Sequence, residues 1–217
     1  MFDVSRRGAP GTTHLRADLS RPSEWLGVAD LFRRELEGFA GERAVFVHSA
    51  GTLGPIGFAG EEDAGAYAAA VLLDAAAPPI LGDAFLRAAR GARAPCHLVM
   101  IGSGAARHVY PGWSAYGAGK AAVDQWVRTV GAEQELRGGR CRVLSVSPGL
   151  VATAMQLEIR ATAPERFPEV GRFVEVHEKG ELRDPLVVAR EIWALLGRAL
   201  PNGAVVDLRE LAAGGGA

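Results

Sequence analysis

Val99-Met-Ile-Gly-Ser103-Gly-Ala-Ala, followed by Gly112-Trp-Ser-Ala-Tyr116-Gly-Ala-Gly-Lys120-Ala-Ala, is the stretch from which fold and chemistry are read. An apolar strand-like run ends on a hydroxyl. Thirteen residues later comes a phenol, and four after that an ammonium group. Residues four apart on a helix share a face, so Tyr116 and Lys120 are neighbours. A free phenol has a pKa of about 10. A nearby ammonium is expected to favour the phenolate and lower that value. Tyr116 then acts as a general acid toward a carbonyl oxygen or a base toward an alcohol. Ser103 would project from the strand end into the same space and hold the oxygen on which charge develops.

Outward from this unit, apolar runs alternate with helical patterns. Ala44-Val-Phe-Val-His-Ser-Ala50, His97-Leu-Val-Met-Ile101, Arg142-Val-Leu-Ser-Val146 and Ala204-Val-Val-Asp-Leu208 read as strands. Their unbroken apolarity suits a parallel sheet covered on both faces. His14–Asp18 and Phe2–Ser5 are lesser strand candidates. Ser23 is expected to cap a helix from Glu24 to Gly38 that buries Trp25, Val28, Leu31, Phe32 and Leu36. Residues Glu61–Arg90 read as one or two helices interrupted near Pro78-Pro79. Trp113–Leu136 is a third helix, and Asp184 caps a fourth, with Pro185 at its first position, running to about Leu200. Ala154–Arg183 reads as an irregular lid. The pattern is a doubly wound α/β parallel sheet in one domain over residues 1–211, with 212–217 as a flexible tail. Ligands of such sheets bind at the carboxyl ends of the strands.

The bulk numbers fit this. Of 217 residues, 48% are hydrophobic and 23% charged, an ordinary globular profile. A net charge of −1 offers no basic field for nucleic acid or an anionic membrane. Cys96 and Cys141 each open an apolar run and read as buried fillers in a reducing, cytoplasmic compartment. No stretch reads as a membrane-spanning helix or a signal peptide. His14, His97, His108 and His177 have no metal-ligand spacing, so no metal is expected.

Gly112–Glu135 resembles the active-site helix of the short-chain dehydrogenase/reductase family, in its sepiapterin reductase and benzil reductase-like branch. The resemblance runs from about Phe2 to Leu211. It implies a Rossmann-like fold and reduction of a small-molecule carbonyl, cyclic, aromatic or pterin-like, by a nicotinamide cofactor. By that resemblance Ser103 stabilises the substrate, Tyr116 donates the proton, and Lys120 tunes Tyr116 and holds the nicotinamide ribose. Ser147-Pro148-Gly149-Leu-Val151-Ala-Thr153 matches the segment whose backbone and threonine meet the carboxamide. Asp18 matches the aspartate at the adenine, though it equally serves to introduce the loop Leu19-Ser20. Ala50-Gly51 matches the end of the family's Asn-Asn-Ala-Gly motif, with His48 and Ser49 in place of the asparagines. Arg6 or Arg7 matches the arginine that pairs with a 2′-phosphate, favouring NADP over NAD. Asp207 resembles the carboxylate that anchors a pterin amino group, and reads equally as a cap or surface residue. Trp113, Tyr110 and Met155 are pocket-wall candidates that core packing explains as well. The family assembles as homodimers or homotetramers.

Two departures stand out. Asp74 occupies the position of the family's relay asparagine, and an ionised carboxylate accepts hydrogen bonds without donating any. The family's opening strand and Thr-Gly-x-x-x-Gly-x-Gly loop, which cradle a pyrophosphate, have no counterpart here. Such a strand–helix unit needs roughly 30 residues, and 17 precede Asp18. The expectation is an N-terminally truncated fold with two unpaired ladder edges, from a natural protein that is longer. The alternative is a non-catalytic pseudoenzyme or oligomerisation partner that does not bind the dinucleotide.

Overall fold

Every position of Cys96-His-Leu-Val-Met100 is buried, as a central parallel strand requires. A computed structural model describes residues 1–213. It pairs β4 (Cys96–Ile101) with β3 (Ala44–His48) on one side and β5 (Cys141–Ser147) on the other, both parallel. β6 (Val205–Asp207) adds to β5, giving the order β3-β4-β5-β6. The N-terminal strands β1 (Phe2–Ser5) and β2 (Thr13–Arg16) form a separate parallel pair. The edge of β3 away from β4 has no ladder partner among the described residues. Helix α1 (Trp25–Leu36) helps join the two sheets through Phe32, whose ring lies 4.8 Å from Phe46 and 5.5 Å from Phe85. Val4, Leu15, Ala17 and Leu19 join the same core.

The helices depart from expectation in informative ways. Ser23 does not cap α1; it sits inside a 3₁₀ turn, Pro22–Glu24, that precedes the helix. The carboxylate of Glu24 accepts instead from the Asp18 backbone N–H at 2.6 Å. Pro78-Pro79 does not break the second helical stretch. The chain runs on from α2 (Ala64–Val71) through a π turn, Leu72–Ala76, into α3 (Ala77–Ala89). Two missing proline N–H donors disturb the ladder one turn upstream, and a wider turn absorbs that locally. The resulting helix, Ala64–Ala89, reaches a mean hydropathy of 1.5, long and apolar enough by composition to cross a membrane, contrary to the sequence reading. Here it packs on α1 and on α4 (Ser114–Leu136), with a carboxylate at its centre.

The lid region holds two helices, α5 (Ala154–Arg160) and α6 (Val170–Glu178). Asp184 caps α7 (Pro185–Leu195) through the N–H groups of Leu186 and Val187, and the helix stops short of Leu200. Of the tail placed at 212–217, Ala212 and Ala213 close α8 (Leu208–Ala213); the remainder lies outside the described residues.

One close approach supports the site helix from behind. A Cβ on Gly131 of α4 would overlap the backbone N and Cα of Gly203, just ahead of β6. Gly131→Ala is therefore expected to destabilise the fold. Overpacking costs about 1–3 kcal/mol, which exceeds the ~1 kcal/mol of helix propensity gained. The readout is a lower urea midpoint at unchanged slope.

Candidate active site

The carboxyl ends of β4 and β5 open into a cavity of about 740 Å³, roofed by α5, α6 and α7. Ser103 follows β4 and caps a short 3₁₀ turn, its Oγ accepting from the Ala105 N–H at 3.2 Å. That leaves its proton free to donate. Tyr116 and Lys120 stand on the first two turns of α4, both buried. All three side chains line this one cavity. The Lys120 Nζ donates to the Ile101 carbonyl at 3.0 Å and lies 5.6 Å from the centre of the Tyr116 ring.

Behind them stands Asp74, fully buried on the π turn. Its Oδ1 accepts from the Thr52 N–H at 3.1 Å, and its Oδ2 has no hydrogen-bond partner among the described residues. Glycines make room for it. A Cβ on Gly119 would come within 2.7 Å of the Asp74 Cβ. A Cβ on Gly51 would meet Asp74 Oδ1 at 2.9 Å and Lys120 Nζ at 3.4 Å. One turn beyond Lys120, buried Asp124 accepts from the Ser145 hydroxyl at 2.6 Å.

The electrostatics correct one expectation. Tyr116 is not acidified. Burial pushes its phenol up to about 12; the Ser103 hydroxyl pulls it back and the Asp74 charge adds to the rise. Lys120 donates to the Ile101 carbonyl and interacts with Asp74, and desolvation of the phenol outweighs the pull of its charge. Burial lowers the lysine, while Asp74 and Asp124 hold it up. Burial raises the Asp74 carboxyl to about 6, with Lys120 restraining it. His48 is pulled down to about 4 by burial and then by Lys120, so it is a neutral packed ring against Phe46.

Of the other expected site residues, Gly51, Trp113, Pro148, Gly149, Val151, Thr153 and Met155 line the cavity. Gly149 adopts φ +82°, a left-handed turn suited to glycine. Ala50 does not line it; its methyl packs into the main core beside Gly51. Arg6 and Arg7 are exposed after β1, outside the cavity. Asp18 spends Oδ1 on the Ser20 N–H and hydroxyl, at 3.1 and 2.7 Å, with Arg21 3.7 Å away. That is the loop-introducing role.

Asp207 takes the capping role rather than the anchoring one, its Oδ1 accepting from the Arg209 N–H at 2.9 Å at the start of α8. Its carboxylate is fully buried and taken by Arg209, at 2.6 Å, and by Arg107, at 3.6 Å. It does not reach the cavity; Arg209 does. Sequence reasoning missed Arg172, Arg209, Phe173 and Trp193, which also line it. Their only signal was position, on helices that turn out to face the opening. A second, smaller concavity of about 340 Å³ lies between β2 and α1, away from this chemistry.

A family model described as short chain dehydrogenase matches residues 12–164. The chain belongs to the short-chain dehydrogenase family. Benzil reductase ((S)-benzoin forming) of Bacillus subtilis (strain 168) is 35% identical over 76% of this chain and 68% of its own length. Sepiapterin reductase of Rattus norvegicus is 34% identical over 52% of this chain and 42% of its own. The solved structure of YIR035C, a short chain dehydrogenase/reductase from Saccharomyces cerevisiae, covers 95% of this chain at 24% identity with a TM-score of 0.78. Short-chain dehydrogenases are oxidoreductases that use nicotinamide dinucleotides. The residues present suit the nicotinamide end of such a cofactor. Gly51 leaves backbone bare beside the Lys120 ammonium, and the left-handed turn at Gly149 lines the same cavity, where a flat ring and its ribose can approach. A glycine loop of the pyrophosphate-binding spacing is not present in these 217 residues.

Proposed function

We propose that this short-chain dehydrogenase is a carbonyl reductase that works with NADPH. The single observation carrying this is the convergence of Ser103, Tyr116 and Lys120 on one largely apolar cavity. Likeness to benzil reductase over 76% of the chain supports a ketone as substrate. When bound, the reduced dinucleotide supplies a hydride to the carbonyl carbon. The Ser103 hydroxyl donates a hydrogen bond to the carbonyl oxygen and orients it, keeping its own proton. Tyr116, kept fully protonated by burial, hands its proton to that oxygen as charge develops there. The ammonium of Lys120 then faces the phenolate left behind and favours it. Exposed Arg6 and Arg7, after β1, supply positive charge for a 2′-phosphate and favour NADP over NAD.

A second reading has its own observation. β1–β2 and β3–β6 are separate sheets, and no glycine loop lies between them. On that reading the chain is a non-catalytic relative that does not hold the dinucleotide. Titrating NADPH into the protein and following its fluorescence separates the two. Saturable binding is expected. Absence of binding by a chain whose circular dichroism shows intact helices would hand the case to the second reading.

A further inference from the structure

The charge of this cavity has one sign. Among the described residues its lining includes Lys120, Arg172 and Arg209 and no carboxylate. Lys120 is answered from behind by Asp74. The two arginines belong to a different place, where α6 and α8 approach the 3₁₀ turn after Ser103. Arg172 Nη1 donates to the Tyr110 hydroxyl at 3.4 Å, and no ion pair engages Arg172 among the described residues. Arg209 packs its stem over Gly149, with Cδ 3.2 Å from where a Cβ there would stand. Its Nη2 comes within 3.8 Å of a Cβ built on Gly104, the residue after Ser103. Two guanidinium groups and one phenol therefore gather at one end of the cavity, one residue from the hydroxyl that would hold the reacting oxygen.

We propose that Arg172, Arg209 and the Tyr110 hydroxyl form an anion site, and that the substrate is an aryl ketone carrying a carboxylate. This rests on the carbonyl-reductase reading of the same cavity. The aromatic part has its surface: Trp113, Tyr110 and Phe173 line the cavity, with Trp113 4.9 Å from Tyr110 and 5.4 Å from Phe173 and held from behind by core Phe167. Planar carboxylate suits a guanidinium; Arg172 keeps Nε and Nη2 for it, while Arg209, whose Nε and Nη2 are held by Asp207, adds Nη1. The sign is opposite to the one expected from the sequence. Asp207 would have anchored an amino group; buried beneath Arg209, it instead fixes a cation at the cavity wall.

Calorimetric titration of phenylglyoxylate and of its uncharged methyl ester into the protein tests this without turnover. The acid is expected to bind at least about tenfold more tightly than the ester, with the difference shrinking as salt is added. Arg172→Met should remove most of that preference and leave ester affinity unchanged. Arg172 is exposed and has no ion pair among the described residues, so this variant should fold. Arg209→Lys keeps the charge beside Asp207 and should weaken the acid alone. Equal affinity for acid and ester, no binding of either, or a preference that survives both variants would overturn the proposal. A failed carbonyl-reductase reading shows itself elsewhere, as absent NADPH binding with this calorimetric preference intact.

Discussion

Tyr116→Phe is expected to lower ketone-dependent NADPH oxidation by about 10²–10⁴-fold, the range a positioned general acid contributes. The variant removes one oxygen and keeps the ring, which packs edge-on against Trp113 at 5.6 Å. The fold should persist, with unchanged circular dichroism and a melting midpoint within a few degrees of the parent. Dinucleotide affinity should also hold, because Lys120 and the Pro148–Thr153 backbone remain in place. The loss therefore belongs in kcat. Because burial holds the phenol near 12, the parent keeps its proton donor charged with a proton throughout pH 6–9. No basic limb from Tyr116 is expected in the free protein below pH 10. Turnover by Tyr116→Phe at the parent rate would remove the proposed proton donor.

How much of this was legible in the sequence follows from which features are local. Ser103, Tyr116 and Lys120 were legible because a strand end and one helix face place them with little help from the rest of the chain. The separate β1–β2 pair was legible from the few residues that precede Asp18. The π turn was not. Prolines announce a disturbed helix, but whether it breaks or widens depends on what packs beside it, here α1 and α4. The direction of the Tyr116 shift was missed because it is set by burial under α5 and α6, a stretch the sequence reads only as an irregular lid. A neighbouring ammonium was read as decisive, when desolvation of the phenol outweighs it. Arg172 and Arg209 lay beyond reach for a similar reason. Exposed arginines on short helices look alike in sequence, and only the approach of α6 and α8 to the Ser103 turn brings these two together.

Lys120→Met should cost stability in a way that depends on pH, and the sign follows from Asp74. In the parent, burial raises the Asp74 carboxyl to about 6 and the Lys120 charge restrains that rise. Without the ammonium the restraint is gone and the folded-state value climbs further. The folded variant then keeps a proton at pH values where the unfolded chain, titrating near 3.8, has lost it. Stability accordingly falls as pH rises from about 4 and levels off above the new folded value. At pH 5 Asp74 is neutral and Lys120→Met should unfold near the parent midpoint in urea. At pH 8 the folded variant holds a proton that the parent has released, and up to about 2–3 kcal/mol is lost relative to the parent, at about 1.4 kcal/mol per pH unit above 6. Ketone reduction is lost at every pH, since no cation remains to receive the Tyr116 phenolate. Adding Asp74→Asn to Lys120→Met should abolish the pH slope of stability and leave activity absent. This double variant separates the two duties assigned to the lysine. If the slope survives it, buried Asp124, one turn along α4 and also within the field of Lys120, is the group that titrates, and the pairing of Asp74 with Lys120 is wrong.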